Sequence, residues 1–261
     1  MILFKSNFGR YISLLATVLC AGAIGSPVSA AAERNDLMFE SNFETGSIRD
    51  VDASVDGWYI KALDPDHAAI TSSVSRESDH AIRLFIDKDL DYSSLNRNSE
   101  DKPRVNLSKY PLKFDYDTDY WVGWSVYLPS SWVDDLDTNF TAIMQLKQPI
   151  GGSPIISIYI KGGDWQIINR RDENDITWNS ATGIWTELYK GPTRNDKGKW
   201  VDFVINFRLC ESERCDGALK IWKDGQQIVN ESGPNAYKRS EEDGGPFFVL
   251  NLYKGGWKGK D

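Results

Sequence analysis

The sequence predicts an all-β protein, an antiparallel β-sandwich of the jelly-roll kind with few, short helices. Three observations predict it. Short β-like runs recur at roughly even spacing through most of the 261 residues. No long stretch carries the 3.6-residue period of a helix, and turn-forming residues separate the runs. Strands without intervening helices argue against a parallel α/β sheet and for packed antiparallel sheets. The length suits one such domain with a sizeable core, and neither an internal repeat nor a low-complexity linker divides it.

The first 30 residues stand apart. Lys5 and Arg10 give a basic start, residues 11–24 form an apolar run, and Val28-Ser29-Ala30 supplies a small-residue cleavage site. This is the pattern of a secretory signal peptide. The apolar run falls short of the ~20 residues a bilayer span needs, and Leu19 before Cys20 fits a lipoprotein site poorly. A secreted or periplasmic soluble domain over residues 31–261 is therefore expected, as a monomer with no membrane attachment. Cleavage removes two basic residues and no acidic one, so the formal charge moves from −8 to −10. An acidic chain without a basic tract is a poor nucleic-acid binder. It admits a polyanion only where cations gather in one groove. The mature chain keeps Cys210 and Cys215, which an oxidising compartment would join across a short loop. Two cysteines and two distant histidines do not make a zinc site.

Strands are expected at 37–44, 57–63, 81–86, 104–107, 120–128, 142–148, 155–161, 165–169, 185–189, 200–209, 218–223 and 227–229. Asn195-Asp196-Lys197-Gly198, Cys215-Asp216-Gly217 and Lys223-Asp224-Gly225 read as turns. The polar segments 94–103 and 230–245 suit the walls or lids of a groove. The last strand starts at Phe247. Period two puts Phe248, Leu250 and Leu252 on one face and Val249, Asn251 and Tyr253 on the other. Lys254-Gly255-Gly256-Trp257 then adds a cation, a turn and an aromatic plate. Three other strands divide in the same way. Arg104, Asn106 and Ser108 oppose Val105 and Leu107; Gln145 and Lys147 oppose Met144 and Leu146. Trp121, Gly123, Ser125 and Tyr127 oppose Val122, Trp124 and Val126. Ordinary antiparallel strands facing water alternate similarly. The recurrence of Arg, Gln, Lys, Asn and Tyr on the polar side favours a groove.

The block Gly198-Lys199-Trp200-Val201-Asp202-Phe203-Val204-Ile205-Asn206-Phe207, the block Gly217-Ala218-Leu219-Lys220-Ile221-Trp222-Lys223-Asp224-Gly225 and the Tyr253 strand resemble the polysaccharide lyases related to heparin lyase I and glucuronan lyase. The likeness runs from about Phe39 to Trp257. It implies a jelly roll of the concanavalin A-like lectin and glucanase type. Arg104-Val105-Asn106, Gln145-Leu146-Lys147 and Leu252-Tyr253-Lys254 look like the three cleft motifs shared with alginate lyases of similar fold. By that resemblance Tyr253 matches the catalytic tyrosine, Gln145 the glutamine that binds the uronate carboxyl, and Arg104 the cleft arginine. The chain departs from the pattern in three places. Lys147 stands where many relatives carry histidine, and Asn106 where an acidic residue is common. The chain stops soon after Trp257, where relatives add one more strand; either this version lacks that strand or the sequence is a fragment.

The implied chemistry explains these residue types. A lyase acting on a uronate polymer removes the C5 proton beside the carboxyl group and expels the 4-O-linked sugar. Gln145 and Arg104, with Asn251, are suited to neutralise the carboxylate, each well-placed donor contributing on the order of a few kcal/mol. Tyr253, with Lys147, Lys254 or Arg104 nearby, suits a base that then serves as acid; Lys147 as the base is the second choice. Trp121, Tyr127, Tyr159 and Trp257 are assigned to the groove side or its edge as platforms for sugar rings. Trp124, Trp200 and Trp222 are assigned to core or turn packing. Arg170-Arg171 reads as a charge run on a solvated face. His67 and His80 read as structural.

Two alternatives carry less of this pattern. A glycoside hydrolase needs paired carboxylates in the groove, and the Glu-x-Asp-x-x-Glu spacing of jelly-roll hydrolases is absent. A non-catalytic glycan-binding protein would share the groove without a competent base. The lyase chemistry requires no cofactor. A structural Ca2+ would suit acidic jelly-roll loops, although no diagnostic ligand run is present. Asn106, Asn139 and Asn230 lie in Asn-x-Ser/Thr sequons.

Overall fold

The computed structural model describes residues 58–76, 79–95, 102–109, 112–135, 139–149, 152–174, 183–239 and 245–256. It also describes the backbone of Ile2–Lys5 and five positions between Met38 and Glu44. Two seven-stranded antiparallel sheets face each other, as the sequence predicts. Sheet I has the order β13-β12-β11-β6-β1-β4-β3, and sheet II the order β10-β9-β8-β7-β14-β5-β2. The strands of sheet I are β1 (Ile2–Lys5), β3 (Ala68–Thr71), β4 (Ala81–Leu84), β6 (Asp119–Leu128), β11 (Lys199–Arg208), β12 (Ala218–Lys223) and β13 (Gln226–Ser232). Those of sheet II are β2 (Tyr59–Lys61), β5 (Arg104–Ser108), β7 (Thr141–Lys147), β8 (Ile156–Lys161), β9 (Asp164–Arg171), β10 (Ile184–Pro192) and β14 (Phe247–Lys254). Two short 3-10 helices, Pro65–His67 and Ser93–Leu95, are the only helical turns among the described residues.

Alternation decides what is buried. From sheet I, Val122, Trp124, Val126, Phe203, Ile205 and Ile221 point inward; from sheet II, Val105, Leu107, Met144, Leu146, Ile158, Phe248, Leu250 and Leu252 meet them. Trp124 stacks on Phe203 at 5.4 Å between ring centres and meets the edge of Phe248 at 5.5 Å. Trp165 closes the same cluster at 5.3 Å from Phe203. Burying each large apolar side chain contributes roughly 1.5–3 kcal/mol, so this layer fixes how the sheets stack. The hairpin β12–β13 turns through Asp224 and Gly225, both at positive φ, as the Asp-Gly pair dictates for a two-residue hairpin. Cys210 and Cys215 form the expected disulfide.

The structure refines the sequence reading at both ends of the chain. β3 is a strand that the sequence pattern did not mark. In the expected first strand at 37–44, the described residues Met38, Glu40, Ser41, Phe43 and Glu44 lie outside any strand. Ile2–Lys5, within the expected signal peptide, pairs with β4 on one side and β6 on the other. Parts of the polar segments 94–103 and 230–245, and Trp257, lie outside the described residues.

Candidate active site

The outward face of sheet II collects the polar residues. β14 lies between β5 and β7, with Tyr253 opposite Arg104 on one side and Ala142 on the other. Ala142 is in turn opposite Tyr159 of β8. One row across four strands is therefore Arg104, Tyr253, Ala142 and Tyr159. The register slips between Ala142 and Met144, which places Ile143 in the core. A bulge of this kind re-aims side chains. Here it allows Ala142, Gln145 and Lys147 to share the open face despite their odd spacing.

Tyr253 is held by rings and a cation. The Arg104 guanidinium carbon sits 4.4 Å from the centre of its ring, a cation–π contact. Phe140 meets Tyr253 edge-on at 5.6 Å and stacks on Tyr159 at 4.5 Å. Ala142, fully buried and small, leaves room for Phe140 between the two tyrosines. No hydrogen bond ties the Tyr253 hydroxyl to another described residue, so the oxygen is available to a ligand.

Gln145 and Asn251 form the second part of the site. Their amides meet at 2.9 Å, Asn251 Nδ2 donating to Gln145 Oε1. With the Asn251 amide turned the other way, its nitrogen faces the carbonyls of Ala142 and Ile143 and its oxygen faces Gln145. In either orientation Asn251, which is completely buried, braces Gln145 from behind. Gln145 retains an N–H for a ligand in both.

Arg170 supplies a third part. Its Nη1 donates to Pro154 O and Ser157 Oγ, both at 3.0 Å, and its Nη2 donates to the Tyr159 hydroxyl at 2.9 Å. Trp185 covers the guanidinium at 4.4 Å. Arg170 is only 4% exposed, so it is a buried cation on the site's floor and not part of a solvated charge run. Its clue in the sequence was the alternation that sets Gln166, Ile168 and Arg170 on one side of β9. Trp185 and Tyr59, exposed at opposite edges of sheet II, flank the site and were not singled out from the sequence.

Three expected site residues lie elsewhere. Lys254 shares the inward face with Leu252. It is 2% exposed and ion-paired with Asp135, so it does not line the site with Tyr253. Trp121 and Tyr127 belong to β6 of sheet I, on the outer side of the sandwich. Trp121 stacks on Trp222 and Tyr127 packs on Trp200, so Trp200 and Trp222 are surface partners of that sheet. Lys147 does share the open face but stands opposite Phe247. That is five residues along β7 from Ala142, about 16 Å at ~3.3 Å per residue, and too far to act on the same atom as Tyr253. Asn106 remains on the open face beside Lys61 and Asn251. His67 is buried beside Phe85 and Tyr92, and His80 contacts Glu44, both structural positions. Among the described residues no group of three or more His, Cys, Asp or Glu is placed to hold a metal ion, and no helix is long and apolar enough to cross a membrane.

A jelly roll that gathers cations, amides and aromatic rings on one open sheet face is a carbohydrate-active architecture. The chain belongs to the polysaccharide lyase family, whose model matches residues 42–261, and it is a lyase of that kind. No curated protein sequence matches it. Among solved structures it is similar to the endo-β-1,4-glucuronan lyase of the fungus Trichoderma reesei, with 14% identity, a TM-score of 0.54, and coverage of 76% of this chain and 79% of that one. It is also similar to a marine alginate lyase from Aplysia kurodai, with 15% identity, a TM-score of 0.40, and coverage of 72% and 86%.

Proposed function

We propose that this polysaccharide lyase cleaves a uronate-containing polymer by β-elimination, in a secreted or periplasmic setting where removal of residues 1–30 takes β1 out of sheet I and leaves sheet II intact. The observation that carries the reading is the open face of sheet II. There Arg104 of β5 stacks on Tyr253 of β14, and the Asn251–Gln145 amide pair joins β14 to β7. In an acidic chain, that face gathers Lys61, Arg104, Lys147 and Arg170, a local field suited to a polyanion.

In the proposed reaction, Gln145 and Arg104 hydrogen-bond the substrate carboxylate and offset the charge that builds as C5 loses its proton. The Tyr253 oxygen, in its phenolate form, takes that proton. The C5–H electron pair becomes the C4–C5 double bond, the C4–O4 bond breaks, and the phenol returns the proton to O4. Lys147 binds the carboxylate of a neighbouring sugar and Trp185 contacts a ring face, while Tyr159, 6% exposed and bonded to the buried Arg170, supports the floor instead of meeting a sugar ring. Asn106 stays on the substrate side; Trp257 is assigned there from sequence alone. No cofactor enters these steps.

The test is incubation with glucuronan, alginate and heparin-type polymers while following the ultraviolet absorbance of the unsaturated product. Product from at least one polymer is expected. Tyr253→Phe is expected to lose at least about 100-fold in kcat, the usual scale for a lost acid–base group, while still binding polymer. Full activity of Tyr253→Phe would remove the tyrosine mechanism, and no product from any uronate polymer would remove the substrate class.

A further inference from the structure

We propose that the outer face of sheet I carries a second glycan-binding site, in which Trp121 is the stacking wall for a pyranose ring of a neutral polysaccharide. It lies on the opposite side of the sandwich from Tyr253 and does not depend on the mechanism above.

The register builds it. Trp121 of β6 is opposite Asn206 of β11, Asn206 is opposite Lys220 of β12, and Lys220 is opposite Asn230 of β13. These four outward side chains form a row about 14 Å long, at ~4.8 Å per strand. The next row toward the sheet end is Asp119, Arg208, Ala218 and Ser232. Together they border a cavity of about 580 Å3. Trp222 lies on the other side of the first row and stacks on Trp121 at 5.5 Å with 23° between planes. Trp121 lines the cavity and Trp222 does not. One face of Trp121 is thus backed by a second indole while the other borders the cavity, with the residue 45% exposed.

Trp121 and Trp222 together make a contiguous aromatic surface, the kind of patch that marks contact with an apolar partner. The C–H face of a pyranose ring is such a partner, and its hydroxyls match the amide of Asn230 and the Oδ1 of Asn206, whose Nδ2 donates to Tyr120 O. The charges argue for a neutral sugar. Arg208 is ion-paired to both Asp119 and Asp216, so its charge is already matched. Lys220 is balanced by Glu231 on the same rim. With two cations against three carboxylates, this cavity lacks the positive field of sheet II. The rim is also built rigidly. Asp216 sits just past the Cys210–Cys215 disulfide, and a Cβ at Gly217 would lie 2.2 Å from Gly233 O, so only glycine permits that close backbone packing.

The experiment is affinity electrophoresis of the whole protein through gels holding soluble neutral glucans, mannans or galactans, with glucuronan and alginate gels alongside. Retardation by at least one neutral polymer is expected. Trp121→Ala is expected to weaken it about tenfold, the scale of one aromatic stacking contact, with lyase activity on short oligosaccharides and the melting temperature unchanged. Tyr253→Phe is expected to leave retardation by the neutral polymer intact, which separates this site from the lyase reading. Absence of retardation by every neutral polymer overturns the proposal, as does retardation that Trp121→Ala does not change. Retardation confined to the acidic gels overturns the neutral assignment. A dimer in sedimentation that Trp121→Ala dissociates would give the indole to a subunit interface instead, and would also overturn it.

Discussion

Arg104 and Tyr253 face each other across β5 and β14, and the guanidinium carbon lies 4.4 Å from the centre of the phenol ring. The stack does two things. It fixes the χ angles of a tyrosine whose oxygen has no hydrogen-bond anchor among the described residues, and it sets a permanent cation where negative charge develops in the proposed elimination. Arg104→Met should therefore lower kcat by about 100- to 1000-fold, the range for loss of one electrostatic stabiliser. Arg104→Lys should recover only part of it, because an ammonium cannot lie flat on the ring. Steady-state kinetics of both variants on one uronate polymer would check this; equal activity of the Lys and wild-type proteins would show that the planar stack is dispensable.

The glycine after Tyr253-Lys254 makes a packing prediction. A Cβ added at Gly255 would lie 3.1 Å from the Phe140 ring, the ring wedged between Tyr253 and Tyr159. Gly255→Ala should push Phe140 and so misplace Tyr253. A misplacement of about 1 Å can cost about 100-fold in rate, and the few tenths of an ångström required here a fraction of that. The expected result is a fall in kcat with the melting temperature lowered by only a few degrees. A large loss of melting temperature with kcat per folded molecule unchanged would assign Gly255 to stability alone.

Much of this site was legible because period two in a strand is a strong signal. It put Phe248, Leu250 and Leu252 in the core and Asn251 and Tyr253 on the opposite face of the strand, and the structure agrees, with Asn251 buried on that face. The same rule places Lys254 with Leu252, and following it through would have shown that Lys254 points inward to Asp135. What alternation does not encode is register. Nothing in Gln145-Leu146-Lys147 reveals that Lys147 pairs with Phe247, or that a bulge at Ile143 intervenes. Nor does alternation say which of two sheets a strand joins, so Trp121 and Tyr127 read as groove residues although β6 lies in sheet I. Arg170 was hidden for a different reason: a buried arginine held by Ser157, Tyr159 and a carbonyl looks, in sequence, like any surface basic pair.

Between the sheets, Asp196 links two elements. Its Oδ2 accepts a hydrogen bond from the core indole Trp165 Nε1 at 2.8 Å and pairs with Lys223 Nζ at 2.9 Å. Burial opposes the charge on Lys223, but its bonds to Asp196 and Asp224 prevail and raise its pKa above the ordinary 10.5. Removing one partner of such a pair strands the other. Lys223→Met should therefore destabilise the fold by about 2–4 kcal/mol, and Asp196→Asn by less, since the amide oxygen still accepts from Trp165. Urea unfolding of the two variants checks the order. A stability for Lys223→Met equal to wild type would mean that the pair contributes nothing.

Tyr237 gives the clearest pH dependence. Burial raises its phenol from 10.0 to about 12, Arg170 pulling it down and Asp172 pushing it further up. A raised folded-state pKa contributes stability that is fully present below pH 10 and lost as pH rises through about 12, because the unfolded chain ionises first. The Tyr237 hydroxyl is also buried without a hydrogen-bond partner, so it adds no bond to the native state. Tyr237→Phe should accordingly match or exceed wild-type stability at pH 7. Between pH 10 and 12 it should lose on the order of 1–2 kcal/mol less than wild type, with Tyr116, raised by burial and Glu211, accounting for alkaline sensitivity that remains. Urea midpoints measured at pH 7, 10 and 11.5 would show it. Parallel midpoint curves for the two proteins across that range would mean that Tyr237 ionises as easily in the folded state as in the unfolded chain.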